Sequence, residues 1–148
     1  MKLEYLKTQL LLKGSSGIGD IFFEDPRSTA TDQSKAYPYV IWDIKSLKSN
    51  LSWQNSSQIN EKIKIKAYII GSYDRRAQGL TQTIEQKWDT LREFFRLYLV
   101  VLNATQYIKI NNFNDMPNEL YDIGISLDGE IGVSFDVDMT LYCNTAVV

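Results

Sequence analysis

Apolar residues recur every three or four positions over residues 74–102, a spacing that places them on one face of an α-helix. Polar and charged residues fill the intervening positions, as in a helix that is packed on one side only. Ser72 and Asp74 are both suitable N-caps, because their side-chain oxygens accept amide hydrogens of a first turn. The pattern predicts one long amphipathic helix with a buried stripe of Ala77, Leu80, Ile84, Trp88, Leu91, Phe95, Tyr98 and Leu102.

Strand patterns precede this helix. Residues 37–44 combine aromatic and β-branched side chains, which favours a strand that has Pro38 near its start. Residues 45–57 are mainly polar and predict a connection, with a turn at the Asn-Ser-Ser segment of residues 55–57. Residues 59–70 then alternate between charged and apolar side chains, which predicts a half-buried strand with lysines on its wet face.

A second alternating pattern covers residues 121–127 and 131–141 and predicts a C-terminal β-hairpin. The Asp128-Gly129 pair is typical of a two-residue loop, but that loop puts the two apolar rows on opposite faces. A three-residue loop at residues 127–129, ending in glycine, keeps both rows on one face. The predicted pairs are therefore Ile125 with Ile131 and Ile123 with Val133.

The first third of the chain contains weaker patterns. Residues 3–13 predict a short helix, and the apolar run at residues 21–23 either docks on the core or forms a brief strand. Residues 24–36 are polar almost throughout and have little apolar surface to offset the entropy of ordering. Two interpretations of this polar loop stay open, a mobile surface loop and an arm that orders against a partner.

The whole pattern predicts a single α+β domain over residues 1–148. Its mainly antiparallel sheet packs against one long amphipathic helix, with a short N-terminal helix and a C-terminal β-hairpin. A chain of 148 residues is long enough to bury a core without disulfides or metals.

Composition narrows the classes of partner. The formal net charge of -2 gives no electrostatic reason to expect nucleic-acid binding. No stretch approaches the roughly 18 consecutive apolar residues of a membrane span, and the first residues carry charges where a secretory signal needs an apolar run. A single cysteine, Cys143, allows no intramolecular disulfide. These features predict a cytoplasmic site of synthesis, without a membrane or sequence-specific nucleic acid as partner.

Histidine is absent, which removes the commonest general base and the commonest metal ligand. Carboxylates are the remaining catalytic material. Asp136 and Asp138 share a strand face, with Asp122 near them across the hairpin, and such a cluster either holds Mg²⁺ or merely aids solubility. Cys143 has no histidine partner and is expected to be a small buried residue. The sequence therefore predicts no catalytic residue, no metal and no cofactor, and disfavours an enzyme.

The order of elements, the strand Tyr-Pro-Tyr-Val-Ile-Trp at residues 37–42, and the strand–glycine–helix passage from Ile63 through Gly71 to Trp88 carry a resemblance. The chain resembles the tail terminator and tail completion (neck) proteins of tailed bacteriophages and related contractile particles. That resemblance implies a virion subunit, assembled in the host cytoplasm, that forms a ring, usually a hexamer. The ring ends the tail tube and joins it to the head connector.

Two other classes stay open. One is a head-completion or stopper protein of the same neck, and the other is a cytoplasmic small-molecule-binding module or carboxylate-dependent enzyme. For the ring, the expected contact surfaces are the polar loop and a segment with apolar residues that have no obvious place in the core. The residues expected at the interface are Asp25, Arg27, Asp32, Lys35, Leu47, Leu51 and Trp53.

Overall fold

A computed structural model describes residues 2–11, 17–26, 36–55, 58–72, 83–105, 107–121 and 130–144. These residues form an α+β fold of two helices and six strands. In chain order the elements are α1 (Lys2–Leu10), β1 (Asp20–Glu24), β2 (Tyr39–Asn55), β3 (Gln58–Ser72), α2 (Ile84–Asn103), β4 (Ile108–Ile110), β5 (Asn118–Tyr121) and β6 (Glu130–Asn144).

One sheet contains all six strands, in the order β1-β2-β3-β6-β4, and β5 also pairs with β6. Only β1 and β2 are parallel, so the mainly antiparallel sheet is confirmed. The predicted balance between sheet and helix is wrong. Strands β2, β3 and β6 are 17, 15 and 15 residues long, so the sheet, and not one long helix, dominates the fold.

The helix α2 packs against the face of the sheet formed by the odd-numbered residues of β3 and β6. Leu91 and Phe95 are completely buried there, and the ring of Phe95 stacks on that of Phe135 with centroids 4.2 Å apart. Trp88 is partly buried at the edge of the same core. The alternation along β3 is confirmed, because Ile63, Ile65, Ala67 and Ile69 are buried in this core.

The long helix begins later than the periodicity predicted. Thr83 is its N-cap: the Thr83 hydroxyl accepts a hydrogen bond from the backbone N–H of Gln86, and the Gln86 side chain accepts one from the backbone N–H of Thr83. This reciprocal capping box satisfies two amide donors and fixes the start of the helix. Ser72 is instead the last residue of β3, and the predicted cap Asp74 lies outside the described residues.

The polar connection predicted at residues 45–57 is a strand. β2 continues through Asn55, with a register shift between Asp43 and Lys48, and pairs with β3 up to the Asn55–Gln58 pair. Of the turn predicted at residues 55–57, Asn55 is the last residue of β2, and residues 56 and 57 lie outside the described residues. Pro38 immediately precedes β2, as expected, and follows a cis peptide bond. The polar composition misled the prediction because residues 44, 45 and 48–51 of this strand are exposed to water.

The predicted register of the C-terminal hairpin is also wrong. Val133 pairs with Leu120 and not with Ile123, three residues further along. The physical reason is that the long pairing of β6 is made on its other edge, with β3 from Gln58 to Ser72, so the alternation along β6 does not set the register of β5. β5 is therefore only a short strand on the outer edge of β6, and the predicted loop at residues 127–129 lies outside the described residues.

The N-terminal part closes one end of the core. Helix α1 is confirmed and buries Leu6 and Leu10 completely. The apolar run at residues 21–23 forms β1, which pairs with the first residues of β2. Of the predicted polar loop, Asp25 is described, and its carboxylate lies 2.9 Å from the Lys45 ammonium. Residues 27–35 lie outside the described residues, so both interpretations of this loop stay open.

Candidate functional site

The face of the sheet opposite α2 carries charged side chains in its central part. On β3 these are Lys64 and Lys66, whose direct neighbours on β6 are Asp138 and Asp136 respectively. Paired residues of neighbouring strands point to the same face, so the four side chains form a two-by-two array. The array is the floor of an open groove of about 660 Å³, which we call the charged groove.

One wall of the charged groove comes from the irregular part of β2, where Ser46 and Lys48 line it. Ser46 fixes this wall by two hydrogen bonds: its hydroxyl donates to the Asp43 carbonyl and accepts from the Lys66 N–H, each over 2.8 Å. The Asp43 carboxylate also accepts a hydrogen bond from the Lys45 N–H. The irregular segment of β2 between Asp43 and Lys48 is therefore held to β3 by hydrogen bonds, and it sets the position of Lys48.

The opposite wall is the loop between β4 and β5. Asn112 bonds to β6 through its side chain: its amide donates to the Asp136 carbonyl over 2.9 Å, and its oxygen accepts from the Asp138 N–H over 3.0 Å. The Asn111 N–H donates to the Asp138 carbonyl, and the Asp136 N–H donates to the Pro117 carbonyl. Between β4 and β5 the loop therefore bonds to the edge of β6 as a strand would, and these bonds hold the wall in place.

Positive and negative charges lie on opposite sides of the charged groove. Lys48, Lys64 and Lys66 lie on the β2 and β3 side, and Asp115, Asp136 and Asp138 lie on the β6 and loop side. The Lys66 ammonium is 3.9 Å from the Asp136 carboxylate, and both side chains are exposed enough for water to screen them. The groove therefore has a cationic half and an anionic half.

Asp136 and Asp138 do lie on one face of one strand, but each faces a lysine across to β3 and not another carboxylate. Within the described part of the chain, no three His, Cys, Asp or Glu residues come together as a metal site. Asp122, the third member of the predicted cluster, falls outside that part. Cys143 pairs through its backbone with Ile59.

The residues that the sequence assigned to an interface are distributed over the molecule. Leu47, for which no place in the core was expected, packs against the core and is partly buried. Leu51 is 55% exposed on β2, and Trp53 follows it in the same strand, opposite Ile59. Asp25 forms the ion pair with Lys45, while Arg27, Asp32 and Lys35 lie outside the described residues.

The two long edges of the sheet differ. The outer edge of β6 is covered by β5, by the loop and by β4, and the Tyr142 N–H donates to the Tyr107 carbonyl. On the other side, β1 pairs with β2 only as far as Asp43. No described strand pairs with the outer edge of β2 over residues 44–55.

Sequence reasoning missed the residues that shape the groove. Ser46 and Lys48 fell in a segment predicted as a connection, and Asn112 lies between the predicted long helix and the predicted hairpin. The available signal was the run Asn111-Asn112, because asparagine side chains commonly bond to nearby backbone groups. No pattern in the sequence indicates that the carboxamide of Asn112 bonds to a strand 24 and 26 residues away.

The fold defines an α+β domain with a helix on one face of an antiparallel sheet and a charged groove on the other. No protein-family model matches the chain, and a comparison with curated proteins finds no match. Among the described helices, none is long and apolar enough to cross a membrane.

Proposed function

We propose that this protein is a structural subunit of a phage-like tail, which assembles into a ring, ends the tail tube and joins it to the head connector. The observation that carries the proposal is the edge of β2 over residues 44–55, with which no described strand pairs. An unpaired strand edge offers backbone N–H and C=O groups to another chain, and proteins that work alone usually protect such edges.

The protection along β2 is uneven. Near Asp43 the strand has a register shift and the charged residues Lys45 and Lys48, devices that discourage pairing at an edge. Beyond Lys48 the sequence Ser-Asn-Leu-Ser-Trp-Gln-Asn has no charge, and Leu51 is exposed. This second part of the edge suits the addition of a strand from a neighbouring protein, and in the proposed assembly it attaches the ring to the tube or the connector.

The position in the neck comes from the resemblance in element order, which the fold supports only at the level of its α+β class. A ring of identical subunits is the economical way to end a tube of fixed symmetry, because its contacts close without a free end. The proposed function needs neither turnover nor a cofactor, and it places the protein in the virion after assembly in the host cytoplasm. A stopper or head-completion protein of the same neck is the related alternative.

The charged groove is the observation that favours the second class, a small-molecule-binding module or a carboxylate-dependent enzyme. It contains Asp136 and Asp138, the carboxylates that the sequence offers for catalysis. The groove is open, however, and each of these carboxylates faces a lysine. It therefore lacks the enclosed character that is usual for pockets that bind small molecules.

Sedimentation velocity and negative-stain electron microscopy of the purified protein test the proposal. We expect rings several times the mass of the subunit, and caps on tubes when the tail-tube protein of the same particle polymerises in their presence. The variant Leu51→Lys is expected to weaken capping, while Leu11→Lys, at an exposed leucine after α1, serves as its control. A monomer under both conditions, together with a small-substrate activity that Asp136→Asn abolishes, would replace this proposal by the enzyme.

A further inference from the structure

The side of α2 that faces away from the sheet carries two parallel rows of charge. Asp89 and Glu93 form an acidic row, and Arg92 and Arg96 form a basic row beside it. The Arg92 guanidinium donates to the Asp89 carboxylate, and that of Arg96 donates to the Glu93 carboxylate over 2.6 Å. The hydrogen bond from Arg96 lowers the pKa of Glu93, so both members of this pair are charged at neutral pH. We call this two-by-two array the charged face of α2.

The charged groove also has a basic row beside an acidic row, so each row of α2 can face a row of the opposite charge. Its lysine row is Lys64 and Lys66, and its aspartate row is Asp136 and Asp138. Residues two apart in a strand are about 6.7 Å apart along it. Residues four apart in a helix are separated by about 6 Å along the helix axis. The acidic row of α2 therefore matches the spacing of the lysine row, and the basic row matches that of the aspartate row.

We propose that the charged face of α2 of one copy docks in the charged groove of a second copy. This inference rests on the proposed function, since it names the contact by which the subunits of the ring associate. The helix and the groove lie on opposite faces of one sheet, so the two surfaces of one copy cannot meet each other. The contact is therefore heterologous, and repeated contacts of this kind close into a ring or extend into a filament.

The handedness of the helix selects the direction of docking. The Lys66 N–H points towards β2, where it donates to Ser46, and this fixes on which side of the lysine row the aspartates lie. When a right-handed helix is viewed from outside with its N-terminus at the bottom, residue i+3 lies above residue i and to its left. The basic row of α2 therefore lies to the left of its acidic row in this view. The basic row can face the aspartates while the acidic row faces the lysines in one direction of docking, the one in which the partner's α2 runs parallel to β6.

This direction also brings exposed apolar residues together. Following the charged rows towards the C-terminus, α2 exposes Leu97, Val100 and Val101. Following Asp136 and Asp138 along β6, the next exposed residue of the same face is Tyr142. The charges give the contact its orientation and specificity, and the apolar residues beside them add buried area.

Charge reversal with mixing tests the contact. The groove variant carries Lys64→Glu and Lys66→Glu, and the face variant carries Asp89→Lys and Glu93→Lys. Each variant alone places like charges against each other, which we expect to raise the concentration for half-assembly by more than about tenfold. An equimolar mixture restores assembly, because the groove of either variant is complementary to the helix of the other. Raising the salt concentration weakens the wild-type assembly.

The control variant carries Lys7→Glu, at an exposed lysine of α1, and is expected to assemble as the wild type does. Thermal unfolding verifies that each variant is folded, and Lys64→Gln provides a milder change of the groove. Wild-type rings together with unimpaired assembly of both variants would overturn this contact and leave the proposed function standing. Impaired variants that do not rescue each other would also overturn it. A monomeric wild type would overturn both proposals.

Discussion

The indole Nε1–H of Trp42 donates a hydrogen bond to the hydroxyl of Tyr98 over 3.1 Å, and that hydroxyl in turn donates to the carbonyl of Leu10. Both side chains are completely buried. One hydroxyl thus connects β2, α2 and the end of α1 inside the core. Since an unpaired polar group in an apolar interior is costly, this chain of hydrogen bonds fixes how the three elements meet.

Replacing Tyr98 with phenylalanine removes the hydroxyl that is the partner of both the Trp42 donor and the Leu10 acceptor. We expect the free energy of unfolding to fall by about 1–3 kcal/mol, the usual cost of stranding a buried partner. Denaturant unfolding followed by fluorescence measures the change. The control is Tyr142→Phe, because Tyr142 is exposed. Equal effects of the two substitutions would contradict the role given to Tyr98.

Burial also makes the stability of the protein sensitive to alkaline pH. Burial raises the pKa of Tyr98 above its ordinary value, although the hydrogen bond from Trp42 opposes the shift, and burial raises the pKa of Tyr68 in the same direction. A raised folded-state pKa contributes stability that is fully present below the unfolded pKa of about 10 and is lost as the pH rises above it.

The expected result is a free energy of unfolding that is constant towards neutral pH and declines above about pH 10. Tyr98→Phe flattens this decline, since one of the two shifted groups is then missing. Denaturant melts at a series of pH values, with tyrosinate absorbance recorded on the folded protein, provide the measurement. A pH profile unchanged in Tyr98→Phe would contradict the assignment.

Leu91 lies at the centre of the contact between α2 and the sheet. It is completely buried, and a Cβ atom added to Gly71 would lie 2.8 Å from its Cδ2 atom. Leu91→Ala therefore opens a cavity, and we expect a loss of about 2–5 kcal/mol in the free energy of unfolding. The matched variant Leu97→Ala, at an exposed position of the same helix, is expected to change it by less than about 0.5 kcal/mol in the dilute monomer. Comparable losses in both would show that the helix is packed differently.

Asn112 is expected to maintain the shape of the charged groove. Asn112→Ala leaves the Asp138 N–H and the Asp136 carbonyl without their partner, so the loop wall should detach more often from β6. The specific readout is amide hydrogen exchange, which we expect to accelerate at Asp138. The control is Asn118→Ala, at an exposed residue whose side chain donates a local hydrogen bond to the Met116 carbonyl. Unchanged protection of the Asp138 amide would refute the role of the carboxamide.

Local sequence patterns correctly predicted the elements in which buried and exposed residues alternate with a regular period. Strand β3 and the buried stripe of α2 follow directly from periodicity, because each of these elements has one face in the core and one in water. The start of α2 was misplaced because apolar spacing alone extends the helix to residue 74. The capping box at Thr83 and Gln86 was present in the sequence and marks the boundary more sharply than the periodicity does.

The pairing partners of β6 illustrate a different limit. Its alternation fits either neighbour, since one face of any antiparallel partner can be apolar, and the nearest segment in sequence was chosen. In the folded protein β6 pairs with β3 on one edge along its full length, and with β5 and β4 on the other edge over short stretches. The choice depends on the total area buried, which no short window of sequence contains.

The sequence by itself determined the fold class, the apolar rows of β3 and α2, and the absence of histidine chemistry, since each follows from residue type and spacing along the chain. Only the tertiary structure decided that Lys64 and Lys66 face Asp138 and Asp136, and that Asn112 and Ser46 build the walls of the groove. It also decided along which edge of the sheet no described strand pairs. These features depend on registers between segments distant in the chain, and a register is set by the packing of the whole core.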